Sequence, residues 1–446
     1  MRTKVQEIMR RSVPILPLAL CVCLSSVAGL PAQAPAAGSA AGPTDELTFV
    51  VIVSRHGVRS PTGKPGQLDQ YARQPWPGWS VPPGNLTEHG ARLMTLFGAW
   101  DRELLAGEGL FASQGCDAAQ RITIVADSDQ RTRETGKALA AGLAPGCGLA
   151  VRAQAEGTPD PLFHAIEAGV GQPDKLLAVA AVSGRIGNNP AGLAEAYRPQ
   201  LEALDAVLDT CPSGAQCKPA RESIFKAASS IAQGKSDHLV EFHSPLAVAS
   251  TMTENLLLAW TDGMDAAKVG WGAADAAKLR ELLELHTAHE DIANRTGYIA
   301  REQSSNLLVH ILESMQQAAA GSAVAGALSK PGDRLLILVG HDTNIASMAG
   351  ALGLNWLIDG RRDDTPPGGA LVFELWKKHS AQDYAVRTYY TAQSLDQMRN
   401  ATPLTAQDPP ERVPVFVPAC SRADTSCAWD AFQQAVKGAT DPAFVK

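Results

Sequence analysis

An apolar run of β-forming residues, Leu47-Thr48-Phe49-Val50-Val51-Ile52-Val53-Ser54, stops abruptly at Arg55-His56-Gly57-Val58-Arg59. Far down the chain a second run, Leu335-Leu336-Ile337-Leu338-Val339, stops at Gly340-His341-Asp342. A short, continuous apolar run suits a strand buried on both sides rather than one with a wet face. Strands of that kind belong to α/β sheets, which place their ligands beyond the strands' carboxyl ends. Both runs hand over a histidine at that end. A third run, Arg121 to Ala126, leads into Asp127-Ser128-Asp129-Gln130-Arg131-Thr132-Arg133 and an alanine-rich helix reaching Ala141.

Strand segments near Phe49–Ser54, Ile122–Ala126, Leu149–Ala153, Leu335–Val339, Ala370–Trp376 and Val386–Tyr390 alternate with helical ones. Between about Pro161 and Ala320 strand signals vanish. There the clearest helices are Leu193–Leu208, Leu246–Trp260, Asp275–Ile292 and Ser304–Gln317. The pattern predicts an α/β fold, a mixed central sheet flanked by helices, with an inserted mainly helical subdomain. Residues 46–160 and 321–446 would form the α/β domain. Residues 161–320 would form the insertion, roofing the site and choosing the leaving group.

The two histidine turns carry complementary chemistry. Arg55 and Arg59 flank His56, and guanidinium forks bind a doubly charged oxyanion in pairs without losing their own charge. His56 is the candidate nucleophile. Asp342 is placed to protonate a leaving oxygen and then to activate water, with His341 beside it as a phosphate ligand. Arg131 falls in the first turn of its helix, where a cation opposes the helix dipole, which suggests an anion nearby. The bland alternative is that Arg131 or Arg133 merely pairs with Asp127, Asp129 or Glu134.

Four landmarks in order resemble the histidine acid phosphatase family, and within it the bacterial periplasmic phytase and acid phosphatase group. They are Arg55-His56-Gly57-Val58-Arg59-Ser60-Pro61-Thr62, Asp127 to Arg133, His341-Asp342-Thr343-Asn344, and Asp364-Thr365-Pro366-Pro367-Gly368-Gly369. Smaller echoes are Trp76-Pro77-Gly78-Trp79, Leu86-Thr87-Glu88-His89-Gly90 and Pro159-Asp160-Pro161-Leu162-Phe163. The resemblance implies a phosphohistidine on His56 and a proton donor at Asp342. It implies phosphate clamps at Arg55, Arg59 and Arg131 with Thr62 and His341, and Thr343 at the rim. It requires no metal or other cofactor. Glu254, in Met252-Thr253-Glu254, and His286, in Glu284-Leu285-His286, resemble substrate-pocket residues of the phytase group. Their bland readings are a solvated helix carboxylate and a histidine packed on a helix face. One departure stands out. Where the phytase group has a lysine directly after Pro-Thr, this chain has Gly63, and Lys64 follows one residue later.

The first 34 residues read as an export signal: Arg2, Lys4, Arg10 and Arg11, then a largely apolar stretch from Ser12 to Leu30, then Ala32-Gln33-Ala34 as the cleavage site. An uncleaved membrane anchor is the alternative. Residues 35–45 read as a flexible start to the mature chain. Beyond the leader remain Cys116, Cys147, Cys211, Cys217, Cys420 and Cys427, an even set that suggests disulfides in an oxidising compartment. Sequence neighbours suggest Cys211–Cys217 and Cys420–Cys427, leaving Cys116–Cys147, and the family shows similar pairs. One further bridge common in the phytase group is missing. The formal charge of −7 includes four cations and one anion in the leader, so the remainder stands at −10. That balance argues against a nucleic-acid partner.

The expectation is therefore a periplasmic or secreted monomer, free of the membrane after signal cleavage, hydrolysing small phosphate monoesters at acid pH, phytate first among them. The alternatives are a glucose-1-phosphatase-type sugar-phosphate phosphatase, a mutase of the same superfamily, or an inactive phosphate-binding protein.

Overall fold

The run that opens at Glu46 becomes the strand on which the sheet is organised. In the computed structural model, which describes residues 45–446 except 65, 113, 236–237 and 380–382, it forms β1 (Glu46–Arg55). The expected leader, and all but Asp45 of the expected flexible start, lie outside the described residues. Along the chain follow α1 (Glu88–Gly107), β2 (Ile122–Ala126), α2 (Gln130–Leu143) and β3 (Val151–Arg152). Next come α3 (Lys175–Arg185), α4 (Pro190–Ala196), α5 (Arg198–Leu208), β4 (Ser230–Gln233), β5 (Val240–His243), α6 (Pro245–Thr261), α7 (Ala276–Ala293) and α8 (Gly297–Ala320). The last part holds β6 (Leu335–Gly340), α9 (Asp342–Leu352), β7 (Leu357–Ile358), β8 (Arg361–Arg362), β9 (Ala370–Lys377) and β10 (Tyr384–Ala392). It closes with α10 (Leu395–Asn400), β11 (Glu411–Pro414), β12 (Cys427–Ala428) and α11 (Trp429–Ala439).

The main sheet runs β11-β10-β9-β1-β6-β2-β3, with β12 also paired to β10. The pairs β1–β6, β6–β2 and β2–β3 are parallel. Those of β9 with β1 and β10, and of β10 with β11 and β12, are antiparallel. The sheet is mixed and helix-covered, as the sequence suggests. Alternate residues of β1 feed two cores. Phe49, Val51 and Val53 pack with α8, α9 and α11, whereas Leu47, Val50 and Ile52 pack with α1 and α2. That is why the run does not alternate in polarity: both faces are dry. Each such side chain contributes roughly 1.5–3 kcal/mol of burial.

A separate apolar core joins α3 to α7 and α10, and reaches Val58 in the histidine turn and Leu93 of α1. Three expectations need correction. The region from 161 to 320 is not free of strands, because β4 and β5 form an antiparallel hairpin. Leu193–Leu208 is two helices meeting at Tyr197. Pro199 explains the break: within one helix its ring would meet the carbonyl of Glu195 and supply no N–H. The strand expected at Leu149–Ala153 is only Val151–Arg152. Among the described residues Cys116 is bonded to Cys147, Cys211 to Cys217 and Cys420 to Cys427. No helix among them is long and apolar enough to cross a membrane.

Candidate active site

Parallel register carries the three turns to one edge of the sheet. Arg55 of β1 lies opposite Gly340 of β6, and Ala126 of β2 lies opposite Val339. The N–H of His56 donates to the Gly340 carbonyl at 2.9 Å, and that of Asp127 to the Val339 carbonyl at 3.0 Å. The rings of His56 and His341 meet edge to face with centroids 5.5 Å apart.

His56 is buried, and its Nδ1 lies 2.8 Å from the Gly57 carbonyl. A carbonyl only accepts, so Nδ1 carries the proton and Nε2 keeps its lone pair. Burial, then the charges of Arg55, Arg59 and Arg131, hold the imidazole pKa well below its ordinary value. Gly57 lets the turn pack close to α1: a Cβ would stand 2.8 Å from Met94 Cγ and force that buried side chain to shift. Its N–H donates to Thr135 Oγ1 of α2 at 2.9 Å.

Arg55 is wholly buried. Its Nη1 donates to the Thr365 carbonyl at 2.6 Å, and its Nη2 contacts Glu254 Oε1 and, at 2.9 Å, Asp342 Oδ2. The backbone of the Asp364–Gly369 landmark also fixes the turn, since Gly369 O accepts from Arg55 N–H at 2.9 Å and Gly368 N–H donates to His56 O at 3.0 Å. Burial penalises the Arg55 cation, but Asp342 and Glu254 outweigh it and its pKa rises. Burial pushes Arg59 down to about 10, so it remains a cation. Nη2 of Arg131 lies 3.4 Å from His341 Nδ1 and 2.6 Å from Asp129 Oδ2. The pairing with Asp129 is therefore real, and the same guanidinium also faces the His56 cavity. Asp129 precedes α2 but its side chain caps no backbone N–H, being committed to Arg131. The Nε–H groups of Arg55, Arg59 and Arg131 are buried with no acceptor among the described residues.

Glu254 of α6 is a buried carboxylate rather than a solvated one, bridging Arg55 and, at 3.8 Å, Arg59. His286 of α7 is buried too, with Nδ1 3.0 Å from Ser250 Oγ and Nε2 3.9 Å from Glu254 Oε2. Burial opposes its charge, but Glu254, Glu290 and Asp342 prevail and raise its pKa. Asp342 opens α9, and its Oδ1 accepts the Thr343 N–H at 2.9 Å. Burial disfavours its charge, yet Arg55, His286 and Arg59 hold its carboxyl far below the usual range.

The sequence marks Asp127 as part of a family landmark and as a possible partner for arginine, with no tie to a histidine. It is buried between two imidazoles, with Oδ2 2.7 Å from His341 Nε2 and 3.0 Å from His164 Nε2. Burial opposes its charge, and the two ring contacts overcome it and lower its pKa. Burial lowers that of His341 despite Asp127. His164 directly follows the Pro159–Phe163 echo, and no spacing had drawn attention to it. Thr62 and Thr343 are exposed at the rim.

Two cavities share Arg59, Thr62 and Asp342 in their walls. One, of about 450 Å³, holds His56, Arg131 and His341. The other, of about 580 Å³, runs between Lys64, Trp76 and Trp79 on one side and Glu254, His286 and His289 of α6 and α7 on the other. The arrangement can bind a dianion beside an unprotonated imidazole nitrogen, with a carboxyl group at the mouth of the larger cavity.

The chain matches the family described as histidine phosphatase superfamily (branch 2) over residues 46–391. It is 36% identical to Phytase AppA of Escherichia coli (strain K12) over 409 residues, 90% of this chain and 94% of that protein. It is 29% identical to a glucose-1-phosphatase of Salmonella typhimurium, covering 88% of this chain and 92% of the relative. Among solved structures it is similar to Hafnia alvei phytase in complex with tartrate, with a TM-score of 0.82 at 34% identity, over 90% of this chain and 99% of that one. The same phytase in complex with myo-inositol hexakis sulphate gives a TM-score of 0.81 over the same shares of the two chains.

Proposed function

The chain belongs to branch 2 of the histidine phosphatase superfamily, and from that premise we propose that it is a phosphoric monoester hydrolase acting on phytate and other phosphate monoesters through a phosphohistidine on His56. The observation that carries the reading is that Arg55, Arg59 and Arg131, whose charges all act on His56, each keep a buried Nε–H with no acceptor among the described residues. An unpaired buried donor is costly, and phosphate oxygens would satisfy all three. Arg55, Arg59, Arg131 and His341 hold the transferring phosphoryl group, with Thr62 at the rim. Nε2 of His56 bonds to phosphorus as the ester P–O bond breaks, and Asp342 delivers its proton to the leaving oxygen. Water then attacks the phosphohistidine and returns a proton to Asp342. The arginines supply the charge stabilisation of the transition state.

The cavity between Lys64 and the helices α6 and α7 receives the leaving group, with Glu254 and His286 on its wall. In that sense residues 161–320 act as the specificity-determining insertion. Lys64 lines this cavity although it is displaced by one residue from the phytase position, and this supports phytate. The displacement itself keeps the second reading, a glucose-1-phosphatase type, in play. We place the protein in the periplasm or outside the cell, as a monomer with no nucleic-acid partner. Its disulfides fit an oxidising compartment.

His56→Ala is expected to reduce turnover by about 10⁴-fold or more and to abolish acid-labile phosphate on the protein. Normal turnover in that variant would remove His56 as the nucleophile. Initial rates on phytate and glucose 1-phosphate separate the two readings: the proposal requires the higher kcat/KM on phytate.

A further inference from the structure

His341 belongs to a second constellation besides the phosphate pocket. Asp127 Oδ2 touches His341 Nε2 at 2.7 Å and His164 Nε2 at 3.0 Å, and His341 Nε2 lies 3.5 Å from Asp129 Oδ2. One ligand atom from each of these four residues lies within 4.8 Å of every other. We propose that Asp127, Asp129, His164 and His341 bind a late first-row divalent cation, Zn²⁺ above all, and that this binding inhibits the hydrolase.

The geometry is close to what such an ion needs. A tetrahedral site with bonds of about 2.1 Å has ligand–ligand edges of about 3.4 Å. The two contacts of Asp127 have to lengthen, by about 0.7 Å to His341 and about 0.4 Å to His164, that from His341 to Asp129 is already right, and the remaining edges, all within 4.8 Å, have to close around the ion. Two imidazole nitrogens and two carboxylate oxygens suit Zn²⁺ better than Mg²⁺ or Ca²⁺, which prefer oxygen alone. A second observation points the same way. Asp127 is wholly buried, and its Oδ1 has no hydrogen-bond partner among the described residues. This carboxylate therefore has unused acceptor capacity beside the two rings. Asp127 directly follows a strand and His341 lies between a strand and a helix, so the framework is stiff.

The proton balance is simple. Each ring now directs an Nε2–H at Asp127. On binding, the Nε2 lone pair goes to the ion and the ring proton resides on Nδ1. Asp129 exchanges Arg131 for the ion. The two carboxylates neutralise the cation, so it offers an incoming phosphate no compensating attraction. With the ion on Nε2, His341 can no longer become an imidazolium toward the substrate, and its newly protonated Nδ1, 3.4 Å from Arg131, repels that guanidinium where it had accepted from it.

The inhibitory half rests on the hydrolase reading; the binding half does not. Calorimetric titration of chelator-treated protein with Zn²⁺ should show one ion per chain, and Co²⁺ should give the visible bands of a four-coordinate centre. His164→Asn and Asp129→Asn, checked for native melting, should each weaken Zn²⁺ about tenfold or more. With p-nitrophenyl phosphate, which avoids chelation by phytate, half-inhibiting Zn²⁺ should rise in the same proportion. A six-coordinate cobalt spectrum, or unchanged affinity in both variants, would overturn the site. Stoichiometric binding without inhibition would overturn the inhibitory role. Absence of zinc-free turnover would instead count against the hydrolase reading.

Discussion

Two groups at the site are tuned in directions that look opposed until the substrate's charge is included. His56 is held neutral by burial and surrounding cations, so the unprotonated ring proposed as the nucleophile persists into acid solution. Asp342, the proposed acid, is held ionised by Arg55, His286 and Arg59. A phosphate dianion among those cations cancels their field at Asp342 and raises its pKa in the complex, where the proton is needed. His286, whose pKa is raised, carries a proton further toward neutrality and, facing Oε2 of Glu254 at 3.9 Å, then competes with Arg55 and Arg59 for that carboxylate's charge. As pH rises, His286 loses its charge, Glu254 competes for the arginines, and Asp342 in the complex loses its proton. All of these effects lower the rate on the alkaline side only. The pH–kcat profile on phytate is thus expected to peak below neutrality, and a maximum above pH 7 would contradict the assignment. Asp342→Asn tests the acid itself. It should slow phytate hydrolysis by about 10²–10⁴-fold, since an inositol alkoxide leaves poorly unprotonated. The loss on p-nitrophenyl phosphate should be much smaller. Equal losses on both would remove Asp342 from the donor role.

At the scale of elements, the site is held by close approach of α1 to the first turn. A Cβ on Gly90 would stand 2.2 Å from the Val58 carbonyl oxygen and 2.9 Å from its nitrogen, both backbone. Gly90→Ala must push the helix off the turn, at about 1–3 kcal/mol. Because Val58 lies between His56 and Arg59, the melting temperature and kcat should fall together. Gly107→Ala on the same helix meets nothing within 4 Å and serves as the control, neutral or slightly stabilising. The central strands were legible because two dry faces demand an unbroken apolar run, and both histidine turns follow from where those runs stop. The β4–β5 hairpin was not, since its first strand, Ser230-Ile231-Ala232-Gln233, is mostly exposed and bears no apolar pattern. The edge strands β11 and β12 and the helix α11 were missed as well; the two strands are only four and two residues long. In the site, Arg55 and Arg59 drew attention by charge density around one histidine. The partnership of Asp127 with His341 and His164 did not, because it joins three distant segments only after the sheet has formed.

For the molecule as a whole, the disulfides staple what the cores leave loose. Cys116–Cys147 spans 31 residues, from the loop after α1 to the loop after α2, and so encloses β2, the Asp127–Arg133 segment and all of α2. Cys211–Cys217 and Cys420–Cys427 span 6 and 7 residues and constrain only local loops. Closing a loop restricts the unfolded chain, and on that account the long bridge is worth about 3–4 kcal/mol against about 2 for a short one. Cys116 is exposed and Cys147 half-buried, and neither lines the cavities around His56. Replacing both by serine should therefore lower the melting temperature well beyond the loss from the Cys211/Cys217 double replacement, while kcat at 25 °C stays within about twofold of the parent. If the two double variants melted alike, the unfolded chain would not be the state on which the long bridge acts. A selective loss of kcat in the folded Cys116/Cys147 variant would mean that the α1–α2 layer relaxes without its staple and lets the His56 turn shift with it.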